Sequence, residues 1–258
     1  MNVGIKRFSK ERADESAVIE EILHPGVAAA EAFDDSAEPD LFPEEQAVVA
    51  RAVAARQREF ATTRRCARLA MASLGIPAVP VLPGEAMAPQ WPAAVVGSMT
   101  HCHGYRAAAV ALSRVMRGIG IDAEPDEPLP DGVIDLVALP AERAWLAGLR
   151  ASRPDVNWDR LLFSCKESVY KAWFPLARRW LGFDEALVRI DPAAGTFSAE
   201  LLVPGPVVDG AVLRGFSGRW MARGGLLLTV ISVTVPTPGI RAPGGQVPGV
   251  RAVRSGSG

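Results

Sequence analysis

Three acidic side chains and two lysines carry the chemistry this sequence offers. The block Phe163-Ser164-Cys165-Lys166-Glu167-Ser168-Val169-Tyr170-Lys171-Ala172-Trp173 has helical periodicity, with Glu167 and Lys171 four apart on one face and Val169 and Trp173 on another. Upstream, Gly120-Ile121-Asp122-Ala123-Glu124 places two carboxylates two residues apart, on one face of a strand. Carboxylates from two segments beside lysines suit magnesium and phosphate. The ion is hard, takes oxygen ligands, and normally holds few carboxylates plus phosphate oxygens and water. Plainer readings exist. An Asp-x-Glu at a strand end is commonly a solvated edge. Ser164-x-x-Glu167 matches a capping box, in which the glutamate only satisfies a backbone donor.

Two further groups could bind anions. Arg56, Phe60, Arg64 and Arg68 recur every four residues of an expected helix, giving either a solvated face or a phosphate clamp of guanidinium forks. Gly97-Ser98-Met99-Thr100-His101-Cys102-His103-Gly104 combines two hydroxyls, two histidines and flanking glycines, which reads as an anion-binding turn. A zinc site there is disfavoured, because the cysteines lack ligand spacing. The histidines either cap the turn or touch phosphate.

Elements must hold these groups in place. Proline and acids at 43–45 open one long helix over 43–74, ended by Gly75 and Pro77, and five prolines make 75–95 a loop. Strands are expected at 107–112 and 118–123, the second presenting Asp122 and Glu124. A proline-rich connection at 125–130 precedes helices at 139–149 and 158–173, with Pro175 ending or kinking the latter. Four more strands follow at 186–190, 196–202, 212–222 and 226–235. The outline is α+β, in two halves that each run helix then strand, without a residue-level repeat. Domains are expected at 1–125 and 126–235, with a disordered tail rich in proline and glycine at 236–258. A short helix is expected near 16–23.

Composition removes some function classes. Lys+Arg of 28 against Asp+Glu of 29 leaves no overall field to attract nucleic acid. Cys66, Cys102 and Cys165 form no CxxC pair, so reduced cytoplasmic thiols are expected rather than a disulfide framework. Lys6, Arg7 and Lys10 are followed by no apolar stretch of signal-peptide type, and 226–235 is about half the length of a spanning helix. A soluble, cytoplasmic protein without membrane contact is expected.

Taken together, Gly97-Ser98-Met99-Thr100-His101, Gly120-Ile121-Asp122-Ala123-Glu124 and Lys166-Glu167-Ser168-Val169-Tyr170-Lys171 resemble the 4′-phosphopantetheinyl transferase superfamily. The similarity runs from about Phe33 to Val235 and is to its larger, monomeric, synthase-activating type. Arg56…Glu59-Phe60-Ala61-Thr62-Thr63-Arg64 and Lys171-Ala172-Trp173-Phe174-Pro175 look most like actinobacterial members. The resemblance implies a pseudodimer of two similar α/β-containing halves, with the active site in the cleft between them. It implies transfer of the 4′-phosphopantetheine arm of coenzyme A to a serine of apo acyl or peptidyl carrier proteins of fatty-acid, polyketide or nonribosomal-peptide synthases, releasing adenosine 3′,5′-bisphosphate. Magnesium, with manganese as the alternative, would be held by Asp122, Glu124 and Glu167. Glu167 would also act as base with Lys171 beside it, and Arg56, Arg64, Ser98, Thr100, His101 and Lys166 would contact coenzyme A. Tyr170, Trp173 and Phe163 either line the pantetheine channel or belong to the core. The chain departs from some relatives in having no lysine or arginine between Ala70 and Pro92. Two rival readings stay open: a magnesium-dependent hydrolase of a pyrophosphate or phosphodiester, whose carboxylates activate water, and a non-catalytic module that binds coenzyme A or carrier proteins.

Overall fold

A computed structural model describes residues 18–37 and 40–235. The expected tail, the basic N-terminal residues and the start of the short helix near residue 16 lie outside the described residues. A 3-10 turn at Ile19–Ile22 leads to strand β1 (Ala28–Ala32), helices α1 (Pro43–Val49) and α2 (Ala54–Ser73), and strands β2 (Val95–Cys102), β3 (Tyr105–Leu112) and β4 (Met116–Pro125). Helices α3 (Val133–Val137), α4 (Pro140–Ser152) and α5 (Trp158–Ala177) follow, then β5 (Ala186–Asp191), β6 (Thr196–Leu201), β7 (Val207–Val208), β8 (Ala211–Val212), β9 (Gly215–Arg223) and β10 (Leu226–Thr234).

Two sheets are stacked between helices. The small sheet has the order β1-β3-β2, and the large one the order β4-β10-β9-β6-β5. On one face of the small sheet, Ala108 and Val110 of β3 pack against Cys66, Ala67, Ala70 and Met71 of α2. The opposite face, with Tyr105, Ala107 and Ala109, meets Ile119, Ile121 and Ala123 of β4 and Leu228 and Val230 of β10. The far face of the large sheet carries α5 through Trp158, Leu161, Cys165, Val169 and Trp173. The period of two in a strand therefore splits β4: Ile119, Ile121 and Ala123 face the inter-sheet core, and Gly118, Gly120, Asp122 and Glu124 face α5.

Several expectations needed correction. The long helix over 43–74 is two helices, because Gln57 Nε2 donates to the carbonyls of Val49 and Ala52 at 3.3 and 2.9 Å and stops α1. The break lets fully buried Glu45 reach Arg68 Nη1 at 3.0 Å and the Val81 amide at 2.8 Å. In one straight helix, positions 45 and 68 would stand roughly 35 Å apart. Strand β1 was not foreseen, since its sequence Ala-Ala-Ala-Glu-Ala favours helix; pairing of Ala30 with Ala108 and cover from α2 override that propensity. The expected anion-binding turn is strand β2, and the chain reverses only after Cys102, where Gly104 has φ +73°. Helix α5 continues past Pro175 to Ala177 and ends at left-handed Arg178, φ 51°. The strand expected at 212–222 divides into β8 and β9.

Strand β4, grouped by sequence with the N-terminal half, pairs antiparallel with β10 in the register Asp122↔Thr229. Gly120 makes the packing of α5 on β4 possible, because a Cβ there would lie 1.9 Å from the Ser168 carbonyl oxygen.

Candidate active site

Where the β2 edge of the small sheet meets the β4 edge of the large one, a cavity of about 800 Å³ opens. Its walls are α2, residues 83–91, β2, the start of β4 and one face of α5. Arg56, Arg64, Ser98, His101, Glu167 and Lys171 all line it. The helical period explains the last two: Glu167, Lys171, Phe174 and Arg178 recur on the face of α5 turned to the cavity.

The basic wall is built around one histidine. Arg56 Nη1 lies 3.0 Å from His101 Nε2. A guanidinium cannot accept a hydrogen bond, so Nε2 is the acceptor and the ring proton sits on Nδ1, 3.4 Å from Glu59 Oε1. Glu59 also accepts from Arg56. Burial, then the charges of Arg56, Lys171, Arg106 and Arg64, pull the His101 pKa down from 6.5 to about 4, leaving the ring neutral near pH 7. Arg64 is buried, donates through Nε to the Val81 carbonyl at 2.9 Å, and lies over the Phe60 ring at 3.8 Å. Burial lowers its pKa to about 10, which still leaves it charged. Arg68, the fourth member of the stripe, is committed to Glu45 and the Asp40 carbonyl.

The acidic wall centres on Asp122, which is 4 % exposed. Its Oδ1 accepts from Lys171 Nζ at 2.7 Å and from Thr100 Oγ1 at 3.3 Å, whereas Oδ2 is buried without a hydrogen-bond partner among the described residues. Glu124 receives Arg160 Nη1 at 2.9 Å. Burial and then the Asp122 charge raise the pKa of both Glu124 and Glu167, so three acids share one electrostatic neighbourhood. The side chains do not close up, however. Among the described residues no group of three or more His, Cys, Asp or Glu is placed to hold a metal ion as it stands.

The remaining site residues fall elsewhere. Lys166, expected to contact coenzyme A, does not line the cavity. It is 3 % exposed, with Nζ 2.8 Å from the Glu142 carboxylate and 3.1 Å from the Ala186 carbonyl. One helical position before Glu167, it turns inward with the core. Thr100 likewise does not line the cavity, and Ser98 lines it with its hydroxyl already engaged. Their oxygens accept the backbone N–H groups of Ala123 and Ile121, each at 3.1 Å. Tyr170 lines the cavity, Trp173 is core with Nε1 donating to the Arg179 carbonyl, and Phe163 packs on Phe183. Glu59 and Arg160 also contact residues of the site, and spacing signals both. Glu59 stands one turn from Arg56, and Arg160 seven residues before Glu167 on one helix face.

Comparison with known proteins covers both halves. A family model for the 4′-phosphopantetheinyl transferase N-terminal domain matches residues 44–111. That for the 4′-phosphopantetheinyl transferase superfamily matches residues 118–206. The 4′-phosphopantetheinyl transferase Svp of Streptomyces mobaraensis is 63 % identical over 196 residues, which is 76 % of this chain and 80 % of that protein. Npt of Nocardia iowensis is 48 % identical over 223 residues, 83 % of this chain and 99 % of that protein. PptT of Mycobacterium tuberculosis is 43 % identical over 220 residues, 84 % of this chain and 96 % of that protein.

Proposed function

This chain belongs to the 4′-phosphopantetheinyl transferase superfamily, and from that premise we propose how its cavity works. It is a 4′-phosphopantetheinyl transferase: it moves the phosphopantetheine arm of coenzyme A onto carrier proteins. In the proposed reaction a carrier serine hydroxyl attacks the diphosphate phosphorus that bears the pantetheine. A new P–O bond forms, the bond to the bridging oxygen breaks, and adenosine 3′,5′-bisphosphate leaves with that oxygen. The observation carrying this reading is the convergence of Arg56, Arg64, His101, Glu167 and Lys171, from α2, β2 and α5, on one cavity.

Glu167 is the proposed base for the serine proton. Its pKa, raised by burial and by Asp122, makes it a stronger base than an ordinary carboxylate. Lys171 holds Asp122 in place and adds positive charge beside the reacting diphosphate. Arg56 and Arg64 are the proposed phosphate contacts, and the neutral His101 can donate to an anion only from Nδ1, the nitrogen that faces Glu59, once that carboxylate turns away.

A divalent cation suits the acidic wall in donor chemistry: hard carboxylate oxygens, mutual repulsion centred on Asp122, and an unpartnered buried Oδ2. We propose that Asp122, with Glu124 and Glu167, would hold magnesium or manganese, which would supply charge neutralisation for the diphosphate. The two layers meeting at the cavity support the pseudodimer reading of one monomer, with β4 belonging by its pairing with β10 to the second half rather than to a first half at 1–125. Among the described residues no helix is long and apolar enough to cross a membrane.

Intact-mass measurement of apo carrier proteins after incubation with coenzyme A and magnesium tests the function. A mass gain of one phosphopantetheine with matching release of adenosine bisphosphate is expected. Release without carrier would instead reveal a hydrolase, and binding without release a module.

A further inference from the structure

Among the described residues, strand β4 is hydrogen-bonded to a strand on one side only. Ile121 and Ala123 pair with Val230 and Leu228 of β10, yet their own N–H groups point the other way, toward β2. No backbone ladder joins β2 to β4, since these strands belong to different sheets. Instead two side chains on β2, spaced by the same period of two, substitute for a strand. Ser98 Oγ takes the Ile121 amide and Thr100 Oγ1 takes the Ala123 amide, each at 3.1 Å. Both residues are 3 % exposed, so without their hydroxyls two buried donors would be unpaired. The bonded amides flank Asp122 directly.

Thr100 does more than cap an amide. Having accepted from Ala123, its hydroxyl has one proton to donate, and it lies 3.3 Å from Asp122 Oδ1. Lys171 Nζ approaches the same oxygen at 2.7 Å. Both protein donors thus fall on Oδ1, and Oδ2 is left buried and unpartnered.

We propose that Ser98 and Thr100 are positioning residues for the transfer rather than contacts to coenzyme A. Their hydroxyls seam the two sheets on either side of Asp122, and Thr100 selects Oδ2 as the carboxylate oxygen left free to work. The proposal rests on the reading of Asp122 as a cation ligand at the diphosphate.

The test uses the full chain with Thr100→Val, Thr100→Ser and Ser98→Ala. Amide exchange of β4, coenzyme A Kd by calorimetry with chelator and with magnesium, and kcat and KM are measured. Thr100→Val should speed exchange at Ala123 and leave the metal-free coenzyme A Kd within about twofold of the parent. The gain in affinity from magnesium should shrink, with kcat down by roughly 10–100-fold. Thr100→Ser, which keeps the hydroxyl, should restore all three. Ser98→Ala, which does not touch Asp122, should speed exchange at Ile121 with a smaller loss of kcat, and it carries the test if Thr100→Val does not fold. A metal-free Kd that rises as much as in Arg64→Ala, with kcat kept, would make these residues phosphate contacts and overturn the proposal. So would parental exchange and kcat in Thr100→Val. Should the parent protein modify no carrier, the functional reading fails, while the exchange result still decides whether the seam exists.

Discussion

Lys166 and Lys171 are five residues apart on one helix, and the structure gives them opposite tasks. Lys171 reaches over the cavity to Asp122, while Lys166 is buried against Glu142, whose carboxylate also accepts from the Val188 amide at 2.7 Å. Removing one member of a buried ion pair leaves the other uncompensated, at a cost of roughly 3–5 kcal/mol. Lys166→Met is therefore expected to lose about that much stability in chemical denaturation and to keep the parental coenzyme A Kd. A weakened Kd at unchanged stability would instead make it a ligand. Glu167→Gln should lower kcat by at least about a hundredfold, the usual scale of a general base, with folding intact by circular dichroism. His101 yields a pH prediction. Its folded pKa of about 4 lies below the ordinary 6.5, so between these values the unfolded chain binds the proton and the folded one does not. Folding stability should fall as pH drops from about 6.5 to about 4. His101→Gln should flatten that limb of a stability-versus-pH curve, and an unaltered slope would remove His101 as its source.

At the level of elements, the site depends on how closely α5 lies on β4. Gly120 sets that distance, since a Cβ there would sit 1.9 Å from the Ser168 carbonyl and 2.9 Å from the Ala172 nitrogen, both backbone atoms that cannot rotate aside. At Gly118 the nearest atom is the flexible Leu176 Cδ1 at 3.4 Å. Gly120→Ala should cost roughly 1–3 kcal/mol or more through overpacking and should lower kcat by shifting Glu167 and Lys171 relative to Asp122. Gly118→Ala is the control and should fall well short of it in both denaturation and kinetics. Equal effects at the two positions would show that close approach of helix and strand does not set the site geometry.

For the molecule as a whole, the cavity lies where the two sheets meet, so a ligand filling it would contact both layers. Coenzyme A at a hundredfold excess over its Kd should stabilise the folded chain by about 2.7 kcal/mol, a rise in Tm on the order of 5–10 °C for a domain of this size. Scanning calorimetry should show one transition moving as a unit. Two transitions of which only one moves would show that the halves unfold independently.

Much of the site was legible in sequence because its motifs are local. Glu167 and Lys171 share a helix face by spacing alone, Asp122 and Glu124 a strand face, and Arg56 and Arg64 another helix face. Residue type and period settle such facts, and three blocks in order were enough to suggest the family. What sequence could not supply was non-local: whether a polar group faces solvent, a ligand or another part of the chain. Lys166 and Lys171 are alike in type, and only the position of Glu142 separates them. Ser98 and Thr100 read as anion contacts by type alone, and only the arrival of β4 shows that their hydroxyls accept two of its amides. Strand β1 was hidden because alanine favours helix until a sheet edge offers it hydrogen bonds. Local spacing thus determined which chemistry the chain could perform, and burial and hydrogen-bond pairing, which exist only once distant segments meet, decided which side chains remained free to perform it.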